Sequence, residues 1–147
     1  MRHVRAISGA GLLGILLLAA PLAGSAAAHA AEADGAYQVD LANVSGKVGD
    51  STVLHATLRP KNGYRVLEDY NNRIIMLSSF DDGVEFAKKS VPAVLHDGVL
   101  DFAVELKPTK PGPHPINGVF RVGYVDDLNS TFEMINVPLI ATVTGTE

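Results

Sequence analysis

The chain has 147 residues, no cysteine and a formal net charge of −4, with 12 basic against 16 acidic residues. Its length predicts a single domain that is large enough to bury one core. The absence of cysteine excludes thiol nucleophiles, thiol–disulfide exchange, cysteine-ligated zinc and iron–sulfur clusters. An acidic chain without a basic run is also poorly suited to nucleic acid, whose recognition depends on neutralising phosphates, or to anionic membranes.

Residues 1–30 have the pattern of a secretory signal peptide. A basic start, with Arg2 and Arg5, precedes an apolar run from Leu12 to Leu22 and then small residues that end in Ala28-His29-Ala30. The apolar run is short for a membrane span of roughly 20 residues, although a retained anchor is the alternative. We expect cleavage after Ala30, or alternatively after Ala28. The domain at 31–147 would then be periplasmic or secreted, without a membrane anchor and with its net charge moved from −4 to −6.

The first half of this domain predicts short strands separated by turns. After a loose leader at 31–36, alternating apolar and polar residues predict a strand at Tyr37–Leu41. Glycine and aspartate then predict a turn over Asn43–Asp50. Ser51–Arg59 alternates again and is predicted to be a strand. Its expected core face carries Leu54, Ala56 and Leu58.

The middle of the chain continues the same pattern. Arg73–Leu77 is short, apolar and β-branched, which favours a buried strand over a short helix. Short edge strands are expected at Val84–Ala87 and Val91–Leu95, because lysines and a proline near them would blunt an exposed edge. Gly98–Lys107 alternates most clearly and predicts an antiparallel strand with one wet face. The proline-rich stretch Pro108–Pro115 is interpreted as a long crossover loop between two sheets.

The last stretch predicts a β-hairpin, with strands at Gly118–Val125 and Thr131–Thr144 and a polar turn at Asp126–Ser130. Pro138 inside the return strand suggests a bulge or a change of pairing partner. About seven short antiparallel strands without an amphipathic helix predict an all-β fold, an immunoglobulin-like β-sandwich. A small closed barrel is the alternative.

Four segments of the chain resemble a known family in both sequence and order. They are Gly46–Asp50, Pro60–Val66, Lys107–His114 and Gly118–Val122. They are similar to the N-terminal immunoglobulin-like domain of the bacterial thiol–disulfide interchange protein D family. In that family the final hairpin carries two cysteines that pass electrons to partner proteins.

The positions that match those cysteines lie near Gly123-Tyr124 and Asn129-Ser130 here. The resemblance therefore implies the fold and a hairpin presented to another protein. It does not imply redox activity, because no other side chain replaces a thiolate in disulfide exchange.

Other side chains give little sign of chemistry. His55, His96 and His114 lie in separate segments without the spacing of a metal site. Met76 and Met134 are predicted to be core residues rather than copper ligands. Aspartates near positions 81–85 and 126–129 fit turns better than a calcium loop. Because the chain has no nucleophile elbow and no phosphate-binding loop, we expect that it is not an enzyme. We accordingly expect no catalytic residues, no cofactor and no metal site.

The leading hypothesis is an exported, non-enzymatic module that binds another protein through the hairpin tip. Tyr124 and Leu128 would supply apolar contact, and Asp126 and Asp127 would supply a charged rim. The tyrosines could alternatively cap the end of the core with the hydroxyl in water. Two other functions remain open. One is carriage of a metal or small ligand between the sheets, and the other is a structural role in an envelope assembly.

Overall fold

The computed structural model describes residues 28–33 and 35–147, so most of the predicted signal peptide lies outside the described residues. Every regular element in these two ranges is a β-strand. In chain order, the strands are β1 (Ala28–Ala33), β2 (Tyr37–Ala42), β3 (Val44–Lys47), β4 (Thr52–Pro60), β5 (Tyr64–Val66), β6 (Arg73–Ser79), β7 (Val84–Phe86), β8 (Val91–Pro92), β9 (Val94–His96), β10 (Val99–Pro108), β11 (Gly112–Asp126) and β12 (Thr131–Thr146).

The strands form two sheets. Sheet A has the order β1-β2-β4-β10-β7, and β9 also pairs with β10. Sheet B has the order β3-β12-β11-β6-β8, and β5 also pairs with β11. The chain crosses from sheet A to sheet B between β2 and β3, so its N-terminal part contributes to both layers. This arrangement is an immunoglobulin-like β-sandwich and not a closed barrel, as the sequence predicted.

The core lies between the two sheets and follows from alternation along the strands. Phe102 of β10 and Phe120 of β11 meet across the layers in an edge-to-face contact, with ring centroids 5.2 Å apart. Both rings are buried, and full burial of such a side chain contributes about 1.5–3 kcal/mol. The predicted core face of β4 is confirmed, because Leu54, Ala56 and Leu58 are buried. On β10 the buried side chains are those of Leu100, Phe102, Val104 and Leu106.

The strand predicted at Arg73–Leu77 is confirmed as β6, and the C-terminal hairpin is confirmed with a longer first strand. The predicted number of strands was too low. The missed strands are β1, β3 and β5, while the short strand predicted at Val84–Ala87 is present as β7 and the one predicted at Val91–Leu95 is divided between β8 and β9. The residues predicted as a loose leader include Ala31–Ala33 of β1, which pairs antiparallel with β2.

The prediction of one turn over Asn43–Asp50 was also wrong. Val44–Lys47 forms β3, which pairs in parallel with Val143–Thr146 of β12. The turn itself is short, and the amide of Asp50 donates to the carbonyl of Lys47 at 3.0 Å. A parallel partner almost a whole chain away leaves no local pattern, so sequence alternation alone could not reveal it.

The crossover between sheets is shorter than Pro108–Pro115. It comprises only Thr109–Pro111, and Gly112–Pro115 already belongs to β11. Prolines are tolerated there because this part of β11 pairs with β12 only, while pairing with β6 begins at Ile116. On the side of β11 away from β12, no neighbouring strand therefore requires the N–H groups that these prolines lack.

No bulge accompanies Pro138, which pairs with Val119 in an unbroken register between β11 and β12. The irregularity lies instead between β11 and β6, at Asn117 and Val119. There Met76 adopts a φ of 58°, which turns its side chain outward. Met76 and Met134 are 71% and 53% exposed, so the prediction that both are core residues was wrong.

Candidate interaction surface at the C-terminal hairpin

The hairpin tip is held by one buried carboxylate. Asp126 accepts hydrogen bonds from the amide of Leu128 at 2.9 Å, and from the amide and side chain of Asn129 at 3.3 and 2.6 Å. These bonds, led by the one from the Asn129 side chain, keep the pKa of Asp126 below its usual value. Ser130 then adopts a φ of 52° to close the turn. The carboxylate is fully engaged by its own turn, so Asp126 acts as a scaffold.

A second set of contacts ties the tip to β5. The amide of Asp127 donates to the carbonyl of Gly63 at 3.1 Å, and Nε of Arg65 lies 2.7 Å from Oδ1 of Asp127. This ion pair is exposed and contributes at most about 1 kcal/mol. The Leu128 side chain lies over Gly63, where a Cβ would be 3.4 Å from Cγ of Leu128. The tip therefore has a fixed position on the sandwich.

Tyr124 and Leu128 lie in opposite environments, although the sequence analysis grouped them. Tyr124 is 8% exposed and contacts Tyr64 edge-to-face, with ring centroids 5.1 Å apart. Its hydroxyl donates to Glu133 at 2.7 Å, and burial is the main cause of a raised pKa of Tyr124. Leu128 is 82% exposed. Tyr124 thus caps the end of the core, and of the four predicted contact residues only Leu128 and Asp127 are exposed, the latter paired with Arg65.

The outer face of the hairpin carries an aromatic cluster that the sequence analysis missed. The Tyr70 ring covers Gly123, where a Cβ would lie 2.7 Å from Cγ of the ring. Nε of Arg121 donates to the Tyr70 hydroxyl at 2.9 Å, and the Phe132 ring lies 6.3 Å from that of Tyr70. Phe132 and Met134 are both about half exposed. Leu128, Phe132 and Met134 therefore give the hairpin several exposed apolar side chains, which are typical of interaction surfaces.

The segment that carries Tyr70 is fixed to β11 by a buried asparagine. Oδ1 of Asn72 accepts from the amide of Gly123 at 2.9 Å, and its side-chain amide donates to the carbonyl of Leu67 at 3.0 Å. The amide of Leu67 in turn donates to the carbonyl of Gly123 at 2.9 Å. The backbone of Gly123 is thus fully bonded on this side. Gly123 thus lies beneath the Tyr70 ring with no room for a side chain.

The histidines do not converge. His55 lies on β4 opposite Ala103, and exposed His96 lies 3.3 Å from Asp97. His114 is buried on β11, far along the strand from the hairpin tip. Within residues 28–33 and 35–147, no three histidine or acidic side chains come together in a way that could hold a metal ion.

His114 has a structural environment of its own. Its Nδ1 lies 2.7 Å from Oδ2 of Asp81, and its Nε2 lies 2.8 Å from the carbonyl of Lys110. The hydrogen bond with Asp81, followed by that with Lys110, raises the pKa of His114. Asp81 also accepts from the amide of Gly83 at 3.0 Å. This arrangement, the histidine latch, joins the Asp81–Gly83 turn to the crossover before β11.

Two clefts in the described part of the chain lie outside the sheets. One has a volume of about 230 Å³ and the other about 170 Å³. Both involve Ala87 and Glu105, and Glu105 is exposed on the outer face of β10. The space between the sheets is filled by the apolar core. The geometry therefore offers no support for a ligand carried between the sheets.

Comparisons with known proteins identify no family. No family model matches the chain, and no curated protein matches it. Among solved structures, it is similar to AggA, the major subunit of aggregative adherence fimbriae type I from Escherichia coli, with 12% identity. That match covers 80% of this chain and 99% of AggA, with a TM-score of 0.42.

Two further solved structures are similar to the chain. The seventh ScaB type I cohesin from Pseudobacteroides cellulosolvens is 13% identical over 73% of this chain and 91% of the cohesin, with a TM-score of 0.44. PapD-like domain 7 of human CEP192 is 9% identical over 97% of this chain and 99% of that domain, with a TM-score of 0.37. These are distant likenesses, and the fold assignment above rests on the strand topology.

In the same described ranges, no helix is long and apolar enough to span a membrane.

Proposed function

We propose that this chain is an exported, non-enzymatic module that binds another protein through the tip of its C-terminal hairpin. The observation that carries the proposal is Leu128. A leucine that is 82% exposed lies on a tip fixed by the hydrogen bonds of Asp126 and by contacts to Gly63 and Arg65. A rigid loop that presents an apolar side chain loses little conformational entropy on binding, so such residues are effective contact points.

The remaining predicted residues have different parts in this proposal. Asp127 would contribute the charged rim, while Tyr124 and Asp126 would position the tip from beneath. Phe132 and Met134 would extend the apolar contact along the outer face of the hairpin. The resemblance to the thiol–disulfide interchange protein D domain supports a hairpin that meets a partner protein. The lack of cysteine makes the proposed interaction non-covalent.

Leu128→Asp is expected to abolish partner binding without unfolding the domain. The substitution places a charge in the proposed contact, whereas surface substitutions usually change stability by no more than about 0.5 kcal/mol. The experiment is a capture from the native envelope and secreted fractions with wild-type and variant protein side by side. A partner retained equally by both would contradict the tip assignment.

Phe80→Asp is the matched control for that experiment. Phe80 is also strongly exposed, but its amide bonds to the carbonyl of Pro115, at the other end of β11 from the tip. We expect Phe80→Asp to retain the partner that Leu128→Asp loses. Loss of binding in both variants would indicate nonspecific adhesion to apolar surface.

Export itself predicts a defined N-terminus. Cleavage after Ala30 would leave Ala31–Ala33 of β1 paired with Tyr37–Val39 of β2. Mass spectrometry of the protein recovered outside the cytoplasm should find a chain that begins at Ala31, or at His29 if the alternative site is used. Recovery of only the full-length chain would contradict the signal peptide and the proposed location.

A further inference from the structure

Strand β12 has one open edge. From Thr131 to Ala141 it pairs with β11 on one side, and no strand of the described chain pairs with it on the other. The open edge ends at Thr142, whose amide donates to the side chain of Asn43 at 2.8 Å, and β3 covers Val143–Thr146 beyond it. At the other end, the turn at Ser130 closes the edge. Unpaired strand edges are templates for pairing with another chain.

The ladder shows which backbone groups face this edge. Gly123 lies opposite Met134, but the N–H and C=O of Gly123 bond to Asn72 and Leu67 on the far side of β11. In an antiparallel pair such non-bonded positions alternate with bonded ones, so Met134 directs its own N–H and C=O to the open edge. The amide of Thr142 has the same orientation. The edge-facing positions are Phe132, Met134, Asn136, Pro138 and Ile140.

The same positions carry side chains on the outer face of sheet B. Phe132 and Met134 are exposed there, and Ile140 is 67% exposed. Glu133 is the only charged residue between Thr131 and Ala141, and its carboxylate accepts from Tyr124. This edge therefore combines unpaired backbone groups with apolar side chains and has little charge to prevent association.

We propose that the open edge of β12 pairs antiparallel with the same edge of a second copy, about a two-fold axis at Asn136. The proposal goes beyond binding at the hairpin tip, because it concerns the backbone edge of β12 and a second copy of the chain; Phe132 and Met134 border both surfaces. Asn136 is the midpoint of the open edge between Thr131 and Ala141, so this register uses the whole edge of both copies. An interface of this type is isologous and closes as a dimer.

The register makes the two edges complementary. It places Phe132 opposite Ile140 of the second copy and Met134 opposite Pro138, so apolar side chains meet on the outer face. Each edge-facing N–H from Phe132, Met134, Asn136 and Ile140 meets a carbonyl. Pro138 has no N–H, and in this register only the carbonyl of Met134 is left without a donor.

The register also brings no like charges together. Glu133 lies opposite Leu139 of the second copy, away from the other Glu133. Two strands of this length form an interface at or below the small end of specific contacts, which is under about 1,200 Å². We therefore expect a reversible dimer with a Kd on the order of 0.1 mM, rather than a permanent one.

Asn136→Pro tests the pairing directly. The N–H of Asn136 faces the open edge, so its loss removes two central hydrogen bonds of the dimer and none to β11; Pro138 shows that proline is accepted at such a position. We expect sedimentation velocity over a concentration series to show dimerisation of the wild type and at least about tenfold weaker association of Asn136→Pro. Asn136→Ala, which keeps the N–H, should associate like the wild type.

A wild type that stays monomeric up to about 1 mM would overturn the proposal and leave the edge to a strand of some other protein. Equal association of Asn136→Pro and Asn136→Ala would overturn it as well.

A charge exchange tests the register even if the proline variant does not fold. Phe132→Lys and Ile140→Glu should each weaken the dimer, because each variant places a charged side chain opposite an apolar side chain of the second copy. The double variant should restore association, since each new lysine then opposes a new glutamate of the other copy. Within one copy the two positions lie eight residues apart along the strand and do not meet. A double variant that associates no better than either single variant would overturn the antiparallel register.

Discussion

Replacing His114 with alanine is expected to lower the free energy of unfolding by about 3 kcal/mol. The ring is 5% exposed, it makes hydrogen bonds to Asp81 and Lys110, and it fills the space directly against Gly83. Its loss leaves a cavity and detaches the crossover from the Asp81–Gly83 turn. Urea unfolding monitored by circular dichroism measures the effect. A loss below about 1 kcal/mol, the range of ordinary surface changes, would contradict the importance of this latch.

The contribution of the latch is expected to depend on pH. Both ring nitrogens of His114 face acceptors, and a neutral imidazole can donate from only one of them, so the folded state favours the cation. The pKa of His114 is therefore raised above 6.5. A raised pKa gives stability that is fully present below about 6.5 and is lost as the pH rises through the folded value.

Asp81 sets the lower limit of the pH range in which the histidine latch stabilises the fold. The hydrogen bond from His114 is the main cause that lowers the pKa of Asp81 from 3.8 to about 2. A lowered pKa gives stability that is present above 3.8 and is lost as the pH falls towards 2. The latch should thus contribute most between pH 3.8 and 6.5.

The matched comparison uses His114→Gln, which keeps a polar side chain but cannot titrate. The difference in unfolding free energy between the wild type and His114→Gln should be larger at about pH 5.5 than at about pH 8.5. A difference that stays constant across this range would show that His114 is not held as the cation.

Tyr124→Ala is expected to destabilise the protein by about 3 kcal/mol and to lower its melting temperature by roughly 10 °C. Tyr124 is buried, packs edge-to-face on Tyr64 and donates its hydroxyl to Glu133. Its loss removes a packed ring from the end of the core and leaves the hairpin tip without support. Differential scanning calorimetry measures both quantities.

Two variants separate the causes of that effect. Tyr124→Phe keeps the ring and loses only the hydrogen bond, so we expect a change of about 1 kcal/mol. Leu128→Asp, on the exposed side of the same tip, should melt within a few degrees of the wild type. If Tyr124→Ala and Leu128→Asp melted alike, the assignment of one residue to the core and the other to the surface would be wrong.

The fold could be predicted from the sequence because strong alternation marks its central strands. Leu100, Phe102, Val104 and Leu106 are buried as their spacing indicates. β3 and β5 escaped prediction because their pairing partners are remote, in Val143–Thr146 and in β11. β1 pairs with the neighbouring β2, but its alanine-rich sequence lacks a clear alternation of apolar and polar residues. Such strands are selected by tertiary pairing rather than by any preference of their own few residues.

The candidate site was predicted only in part. The sequence of β12 did contain a signal for the exposed apolar residues. Phe132 and Met134 occupy even-numbered positions, whereas the buried Val137 and Leu139 occupy odd-numbered ones, and alternate positions of a strand face opposite sides of the sheet. This change of phase along one strand means that the first apolar pair faces away from the core. The burial of Tyr124, by contrast, depends on Tyr64 of β5, which its neighbours in sequence do not reveal. The partner of His114, Asp81, likewise lies more than thirty positions earlier in the chain.

The pairing of β3 with the end of β12 has a consequence for the timing of folding. The two segments belong to opposite ends of the domain, with Val44 beside Val143. A chain that is made or exported from its N-terminus cannot complete sheet B until Val143–Thr146 is available, because β3 pairs with that part of β12. Closure of so long a loop also slows folding. The sequence order of the strands thus delays the finished sandwich until Thr146 has emerged.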